Sequence, residues 1–176
     1  LQHPVSLEYK LAKQQIEKTL SAVKKTNLQT IVIYPNSEPG SKNMINCIKK
    51  YKKEKNFRIF QNIPRKKFLS LLKIVDIIIG NSSSGIIEAP ALRLPVINIG
   101  TRQKERLRAK NVIDVNYNEK EIFKTIKKIL SDKKLKDTMK QCSSPYGNGK
   151  SSEKIVKILE ELKIDDKLLN KKFCLH

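Results

Sequence analysis

Apolar positions along this chain switch repeatedly between a helical spacing and short unbroken runs. Leu7, Leu11, Ile16, Leu20 and Val23 recur at intervals that keep them on one side of a helix, which predicts an amphipathic helix over 7–25. Thr30-Ile31-Val32-Ile33-Tyr34 is a β-branched run stopped by Pro35, the mark of a buried strand. The alternation continues with a helix over 41–53, carrying Met44, Ile45, Ile48 and Tyr51 inward, and a strand Phe57-Arg58-Ile59-Phe60. Pro64 opens a helix with Phe68, Leu71 and Leu72 on its apolar side. Asp76-Ile77-Ile78-Ile79 is a strand ended by Gly80, and an apolar helix without lysine follows over 85–92. Strands at Pro95-Val96-Ile97-Asn98-Ile99 and Val112-Ile113-Asp114-Val115, then helices over 119–131 and 151–162, complete the series.

Strands separated by helices pair in parallel through right-handed crossovers. Ile31–Ile33 and Ile77–Ile79 are apolar at consecutive positions, as strands covered on both faces require. The expected fold is therefore α/β: a Rossmann-like parallel sheet with helices on both faces. It spans residues 1–164 as one domain, followed by a polar, Lys-rich tail over 165–176 that is expected to fray.

The 176 residues, 39% of them apolar, are enough for one core and exclude a disordered tail or a disulfide scaffold. No apolar stretch approaches twenty residues, so no membrane span is expected. The chain opens on Leu1 without a secretion signal, which points to an excised piece of a longer, cytoplasmic polypeptide. Cys47, Cys142 and Cys174 are odd in number and widely spaced, and read as reduced thiols. The net charge of +20 changes the picture less than its size suggests. Of 37 basic residues only six are arginine, the residue suited to bidentate reading of phosphates and bases. The lysines lie along helices, as in Lys24-Lys25 and Lys133-Lys134, and the aromatic residues do not interleave with them. Solvated helix faces explain them, and no nucleic-acid partner is expected. A basic nucleic-acid-binding domain is the alternative from another functional class, recognisable by salt-dependent DNA retention.

In open parallel sheets ligands bind beyond the carboxyl ends of the strands. The residues at those ends are His3-Pro4, Pro35-Asn36, Asn81-Ser82-Ser83-Ser84-Gly85 and Gly100-Thr101-Arg102, all small or polar and all expected on one sheet edge. The serine run is the strongest single feature. Small hydroxyl residues and glycine let backbone N–H groups approach an anion at a helix start, whereas a plain N-cap needs one serine. Glu88 interrupts an otherwise apolar helix one turn later, where a carboxylate needs a partner; vicinal hydroxyls such as those of a ribose would serve, and so would the helix dipole. His3, held extended by Pro4, could bond a phosphate or carry a proton. Gly149-Lys150-Ser151 imitates the end of a phosphate-binding Walker loop, but the position needing the first glycine is Ser144, so 144–149 reads as a turn. Asn81-Ser82-Ser83 fits a glycosylation acceptor, without the secretion signal that use requires.

The segments Gly80-Asn81-Ser82-Ser83-Ser84-Gly85-Ile86-Ile87-Glu88-Ala89-Pro90 and Pro95-Val96-Ile97-Asn98-Ile99-Gly100-Thr101-Arg102-Gln103 resemble the C-terminal domain of the hydrolysing UDP-N-acetylglucosamine 2-epimerases. Leu1-Gln2-His3-Pro4-Val5-Ser6 and Pro145-Tyr146-Gly147-Asn148-Gly149 share the likeness, which runs in order from residue 1 to about 162. The resemblance implies half of a glycosyltransferase-B-type fold, the half that binds UDP, with the N-terminal half absent here and the assembled enzyme a homo-oligomer. It implies Ser82 and Ser83 at the diphosphate, Glu88 at the ribose, Asn36 and Ile63 near the nucleoside, and His3 and Arg102 as the catalytic residues around the leaving phosphate. The implied reaction eliminates UDP to give a 2-acetamidoglucal, which takes up water to give free N-acetylmannosamine, a precursor of sialic-acid-type sugars, with no metal or organic cofactor. This chain alone is then expected to be inactive.

Two positions depart from the family pattern. Arg93 stands where the family usually has glycine, and a left-handed conformation there would cost on the order of 1 kcal/mol. Asn148 replaces the aspartate of the family's Gly-Asp-Gly. Ile86-Ile87-Glu88 and Thr101-Arg102-Gln103 fit the hydrolysing branch better than the non-hydrolysing one, which typically has paired glutamates and a Thr-Glu-Arg-Pro-Glu element. A diacetamido-sugar epimerase is a further alternative, because the absent half supplies most sugar contacts.

Overall fold

The structure, a computed structural model, describes residues 1–170; Cys174 and His176 lie outside the described residues. Two compact units divide the chain, Leu1–Pro145 and a second from Tyr146 onward. The helix over 151–161, grouped with the large domain by its sequence pattern, belongs to the second unit.

Five strands carry the first unit: β1 (Thr30–Ile33), β2 (Phe57–Phe60), β3 (Ile78–Gly80), β4 (Val96–Ile99) and β5 (Val112–Val115). Its helices are α1 (Ala12–Lys25), α2 (Ser41–Lys49), α3 (Arg65–Ile74), α4 (Ser84–Ile87), α5 (Glu119–Ser131) and α6 (Lys133–Lys140). Every pairing is parallel, as the alternating pattern requires. The strands form two ladders rather than one: β1 beside β2, with Thr30 opposite Phe57, and β3-β4-β5, with Ile78 opposite Val96 and Val96 opposite Val112.

The side-chain alternation of the larger ladder separates two cores. Ile97, Ile99 and Val115 pack with Ala12, Ile16 and Leu20 of α1, Met44 and Ile48 of α2, and Ile122, Ile126 and Ile129 of α5. Val96 and Ile78 face the other way, onto Leu72 of α3 with Ala89 and Leu94. Helices thus cover both faces, which is why these strands are apolar at every position.

Four local features differ from the sequence pattern. Residues 7–25 are not one helix: Ser6–Leu11 is a 3-10 turn, and Leu7 is 98% exposed, so the repeat begins to bury only at Ala12. Helix α6 follows α5 directly, its start capped by Asp132 Oδ1 accepting from Leu135 N–H at 2.9 Å. The apolar segment after the serines is a single turn, α4, followed by a 3-10 turn Pro90–Leu92. Arg93 closes that turn with φ 54°, the left-handed conformation that glycine adopts without strain.

In the second unit, α7 (Ser151–Glu161) is followed by α8 (Asp166–Leu169), where Asp165 Oδ1 accepts from Leu168 N–H at 2.8 Å. This part of the tail is a capped turn of helix. Among the described residues no helix is long and apolar enough to cross a membrane, and Cys47 and Cys142 are free thiols.

Candidate functional site

The loops at the carboxyl ends of the strands meet through side-chain hydrogen bonds. Asn81, fully buried after β3, holds the extended segment Leu1–Pro4: its Oδ1 accepts from His3 N–H at 2.7 Å, and its Nδ2 donates to His3 O at 2.8 Å. A side-chain amide here reproduces the two bonds of a strand rung. The carbonyl of Asn81 accepts from Gln103 Nε2 at 2.8 Å and from Arg102 Nη1 at 3.4 Å. One residue therefore joins the chain start, the serine loop and the loop after β4.

His3 also meets the loop after β1. Its Nδ1 accepts from Asn36 N–H at 3.1 Å and lies 2.8 Å from Asn36 Oδ1. The backbone donor requires a bare Nδ1, so a neutral ring carries its proton on Nε2; a charged ring would turn Nδ1–H toward Oδ1. Burial, and next the Arg102 guanidinium, lower the His3 pKa, which favours the neutral form at pH 7. Asn36 Nδ2 donates to Glu38 Oε1 at 2.8 Å, and Arg102 Nη2 donates to the same oxygen at 2.9 Å. Burial alone would raise Glu38, but these two donors outweigh it and hold the carboxyl below its ordinary value. The result is a relay, His3–Asn36–Glu38–Arg102, across three loops. Ser41 at the start of α2 secures it by donating from Oγ to Glu38 O at 2.6 Å and to Asn36 O.

The serine loop divides its labour. Ser82 Oγ accepts from Ser84 N–H at 3.3 Å and from Ser84 Oγ at 2.9 Å, and so shapes the turn. Ser83 is the N-cap residue of α4, yet its side chain makes no capping bond. Because α4 is one turn long, its dipole is weaker than the longer helix expected from sequence would supply. Donor groups of the loop itself, rather than a long helix axis, are what it offers an anion.

Glu88 is half-buried and paired: Arg65 Nη1, at the first position of α3, donates to its Oε1 at 3.2 Å. The partner that its apolar surroundings demanded is thus an arginine from another loop. Ile63, two residues before Arg65, is half-buried on the same β2–α3 connection. His3, Asn36 and Arg102 form one hydrogen-bonded group with the serine loop, while Glu88, Arg65 and Ile63 mark a second position.

Several supporting residues carry no motif signal. Glu38 and Arg65 lie in polar stretches where any charged residue looks like a solvated one. Tyr117, after β5, lies against Gly100, and a Cβ on Gly100 would stand 2.2 Å from its Cζ. Burial, ahead of the Glu8 carboxylate, pushes the Tyr117 hydroxyl up to about 12. Arg108 ties down the loop after β4 by donating to the carbonyls of Gln103, Lys104 and Arg106. Thr101 donates to Glu8 Oε1 at 2.6 Å. The loop that carries Arg102 is therefore fixed from several sides. Among the described residues no group of three or more His, Cys, Asp or Glu side chains is placed to hold a metal ion.

The sequence profile of the UDP-N-acetylglucosamine 2-epimerase family matches residues 1–160. The UDP-N,N'-diacetylbacillosamine 2-epimerase (hydrolyzing) of Legionella pneumophila is 37% identical over 169 residues, 96% of this chain and 44% of that protein. The polysialic acid biosynthesis protein P7 of Escherichia coli is 35% identical over 161 residues, 90% of this chain and 41% of that protein. Among solved structures, the Methanocaldococcus jannaschii UDP-GlcNAc 2-epimerase in complex with UDP-GlcNAc and UDP superposes with a TM-score of 0.65 at 26% identity, over 86% of this chain and 41% of that one. The chain spans about two-fifths of the length of the relatives it matches.

Proposed function

The chain belongs to the UDP-N-acetylglucosamine 2-epimerase family, and from that premise we propose that it forms the UDP-binding wall of a hydrolysing epimerase acting on a UDP-linked acetamido sugar. One observation carries the proposal. Three loops at the carboxyl ends of parallel strands, with the chain start, are bonded into a single rim by Asn81 and by the His3–Asn36–Glu38–Arg102 relay.

In the proposed reaction the C2 proton of the sugar is removed while the C1–O bond to UDP breaks, its electron pair leaving with the phosphate. The product is a 2-acetamidoglucal. Water then adds, OH to C1 and H to C2 from the opposite face, and free N-acetylmannosamine results. Negative charge grows on the departing phosphate, so donors held ready there stabilise the transition state more than the ground state. Ser83, Ser82 and Arg102 are the donors assigned here. Arg102 keeps only one carboxylate partner, Glu38, and remains 24% exposed in its side chain, so it can turn part of its fork to a phosphate. Neutral His3 offers Nε2–H toward the same group. Glu88, neutralised on Oε1 by Arg65, accepts the ribose hydroxyls on its other oxygen. Asn36 orients His3, and with Ile63 borders the nucleoside.

The carboxylates that exchange protons with C2 are assigned to the half of the enzyme beyond this chain, and no metal or organic cofactor is assigned. The second reading differs only in the sugar: 37% identity to the Legionella pneumophila enzyme favours a diacetamido sugar. Titration calorimetry with UDP and a UDP-release assay test the proposal. The chain is expected to bind UDP and to release none from UDP-N-acetylglucosamine, while the complete polypeptide turns over an acetamido sugar nucleotide. Absence of UDP binding, or turnover by this chain alone, would overturn it.

A further inference from the structure

The two ladders of the first unit face each other across an apolar cavity of about 780 Å³. Ile31 and Ile33 of β1 line one side, Ile77 and Ile79 of the β3 segment the other, with Leu20 of α1 and Leu72 of α3 among the residues lining the rest. Each wall strand pairs on one side only, β1 with β2 and β3 with β4, so both present a row of backbone donors and acceptors toward the cavity. Ile31 in consequence stays 39% exposed in a strand whose neighbours are buried.

The chain start enters this cavity in strand geometry. Leu1 Nα donates to Ile79 O at 2.9 Å, and His3 is bonded to Asn81 two residues further on, so residues 1–3 run parallel to β3. Gly80 permits the approach, since a Cβ there would lie 2.0 Å from Leu1 O. Continued backward along the same line, the polypeptide passes between β1 and β3. The wall from Ile79 back to Ile74 gives such a segment about five residues, or ~16 Å at the rise of a strand.

We propose that this cavity is the seat of a central β-strand formed by the roughly five residues that precede Leu1 in the longer polypeptide. With that strand in place the order becomes β2-β1-strand-β3-β4-β5, one continuous six-stranded parallel sheet. The order reverses direction at the carboxyl end of the new strand, and that is where His3 and Asn81 sit, at the crevice where open parallel sheets bind ligands. The occupant must be apolar on both faces, because α1 and α3 cover it from opposite sides, and it must lack proline and charge. A polypeptide fits better than a lipid, because only a backbone pairs the donors and acceptors of both edges. The α-ammonium of Leu1, lowered by burial to about 6, would be replaced there by a peptide N–H making the same bond without a charge. The relatives, of which the chain spans 44% and 41%, have ample length outside it.

The proposal does not depend on the catalytic reading, and stability tests it. A designed six-residue extension of alternating valine and isoleucine is fused ahead of Leu1, and a control carries proline at two of the six positions. The first is expected to raise the thermal midpoint by about 10 °C or more in a domain of this size, and to slow amide exchange of Ile31, Ile33 and Ile77 by about 100-fold or more. The proline control should show neither change. If the unextended chain unfolds without a cooperative transition, recovery of one by the first extension alone supports the proposal, and failure to recover it refutes it. Equal midpoints for all three chains, or laurate raising the midpoint of the unextended chain as much as the extension does, would also overturn it.

Discussion

Gly100→Ala tests whether the Arg102 loop is held by backbone geometry. Gly100 has φ +75°, and a Cβ there would meet three ring atoms of Tyr117 at 2.2, 2.4 and 2.4 Å. The left-handed conformation costs an alanine about 1–2 kcal/mol, and forcing a side chain into an occupied position adds about 1–3 kcal/mol. The variant should therefore lose roughly 2–5 kcal/mol, a fall in thermal midpoint of about 5–15 °C for a domain of this length. The two parts separate in a double-mutant cycle. On a Tyr117→Ala background the clash is gone, and Gly100→Ala should cost only the backbone part, about 1–2 kcal/mol. Urea denaturation of the four proteins reads this directly. Because Thr101 and Arg102 follow immediately, UDP affinity should fall with the single variant and partly recover in the double one. A cost under about 1 kcal/mol, or the same cost in both backgrounds, would refute the reasoning.

Ser83→Ala should weaken UDP by about 1.5–3 kcal/mol while leaving the midpoint unmoved, since Ser83 makes no capping bond; Ser82→Ala should lower both, because its hydroxyl also shapes the turn. Unchanged calorimetric affinity in Ser83→Ala would remove this residue from the phosphate site. Glu88→Gln should weaken UDP by about 1.5–3 kcal/mol, with 2'- and 3'-deoxyribose analogues losing little further; equal losses in wild type and variant would leave Glu88 with Arg65 as a structural pair. Because His3 is held below its ordinary value of 6.5, the unfolded chain binds the proton first, so stability should fall as pH drops through that value toward the folded one. Urea midpoints measured between pH 7.5 and 5 should show that slope in the wild type and a shallower one in His3→Gln. Arg93→Gly should stabilise by about 1 kcal/mol by relieving the left-handed strain, as a thermal scan would show.

Much of the candidate site was legible before folding because strand ends announce themselves. Pro35, Gly80 and Gly100 close apolar runs, and in a parallel sheet their carboxyl ends must share one edge, so His3, Asn36, the serines and Arg102 were expected together. Glu88 was legible as a carboxylate that needed a partner. The identity of that partner was not, since Arg65 is 23 residues away and resembles any solvated residue at a helix start. Glu38 and Tyr117 stayed hidden for the same reason: one sits in a polar turn, the other near a strand end, and neither lies in a pattern with a fixed spacing.

The sequence by itself determined the elements whose signal is local: the β-branched runs, the amphipathic repeats of α1, α2 and α5, and the parallel α/β class that their alternation imposes. These follow from side-chain sterics and from burial at fixed periods, which act within a few residues of one another. Only the tertiary structure decided that the strands pair as two ladders with an apolar cavity between them, that Leu7 faces solvent, and that the helix after the serines is a single turn. It alone brought Glu38 between Asn36 and Arg102, and Arg65 onto Glu88. Such pairings depend on which backbone edges and charges are brought within about 3 Å by the packing of distant segments, and hydrogen bonds and ion pairs have that short reach whatever the separation along the chain.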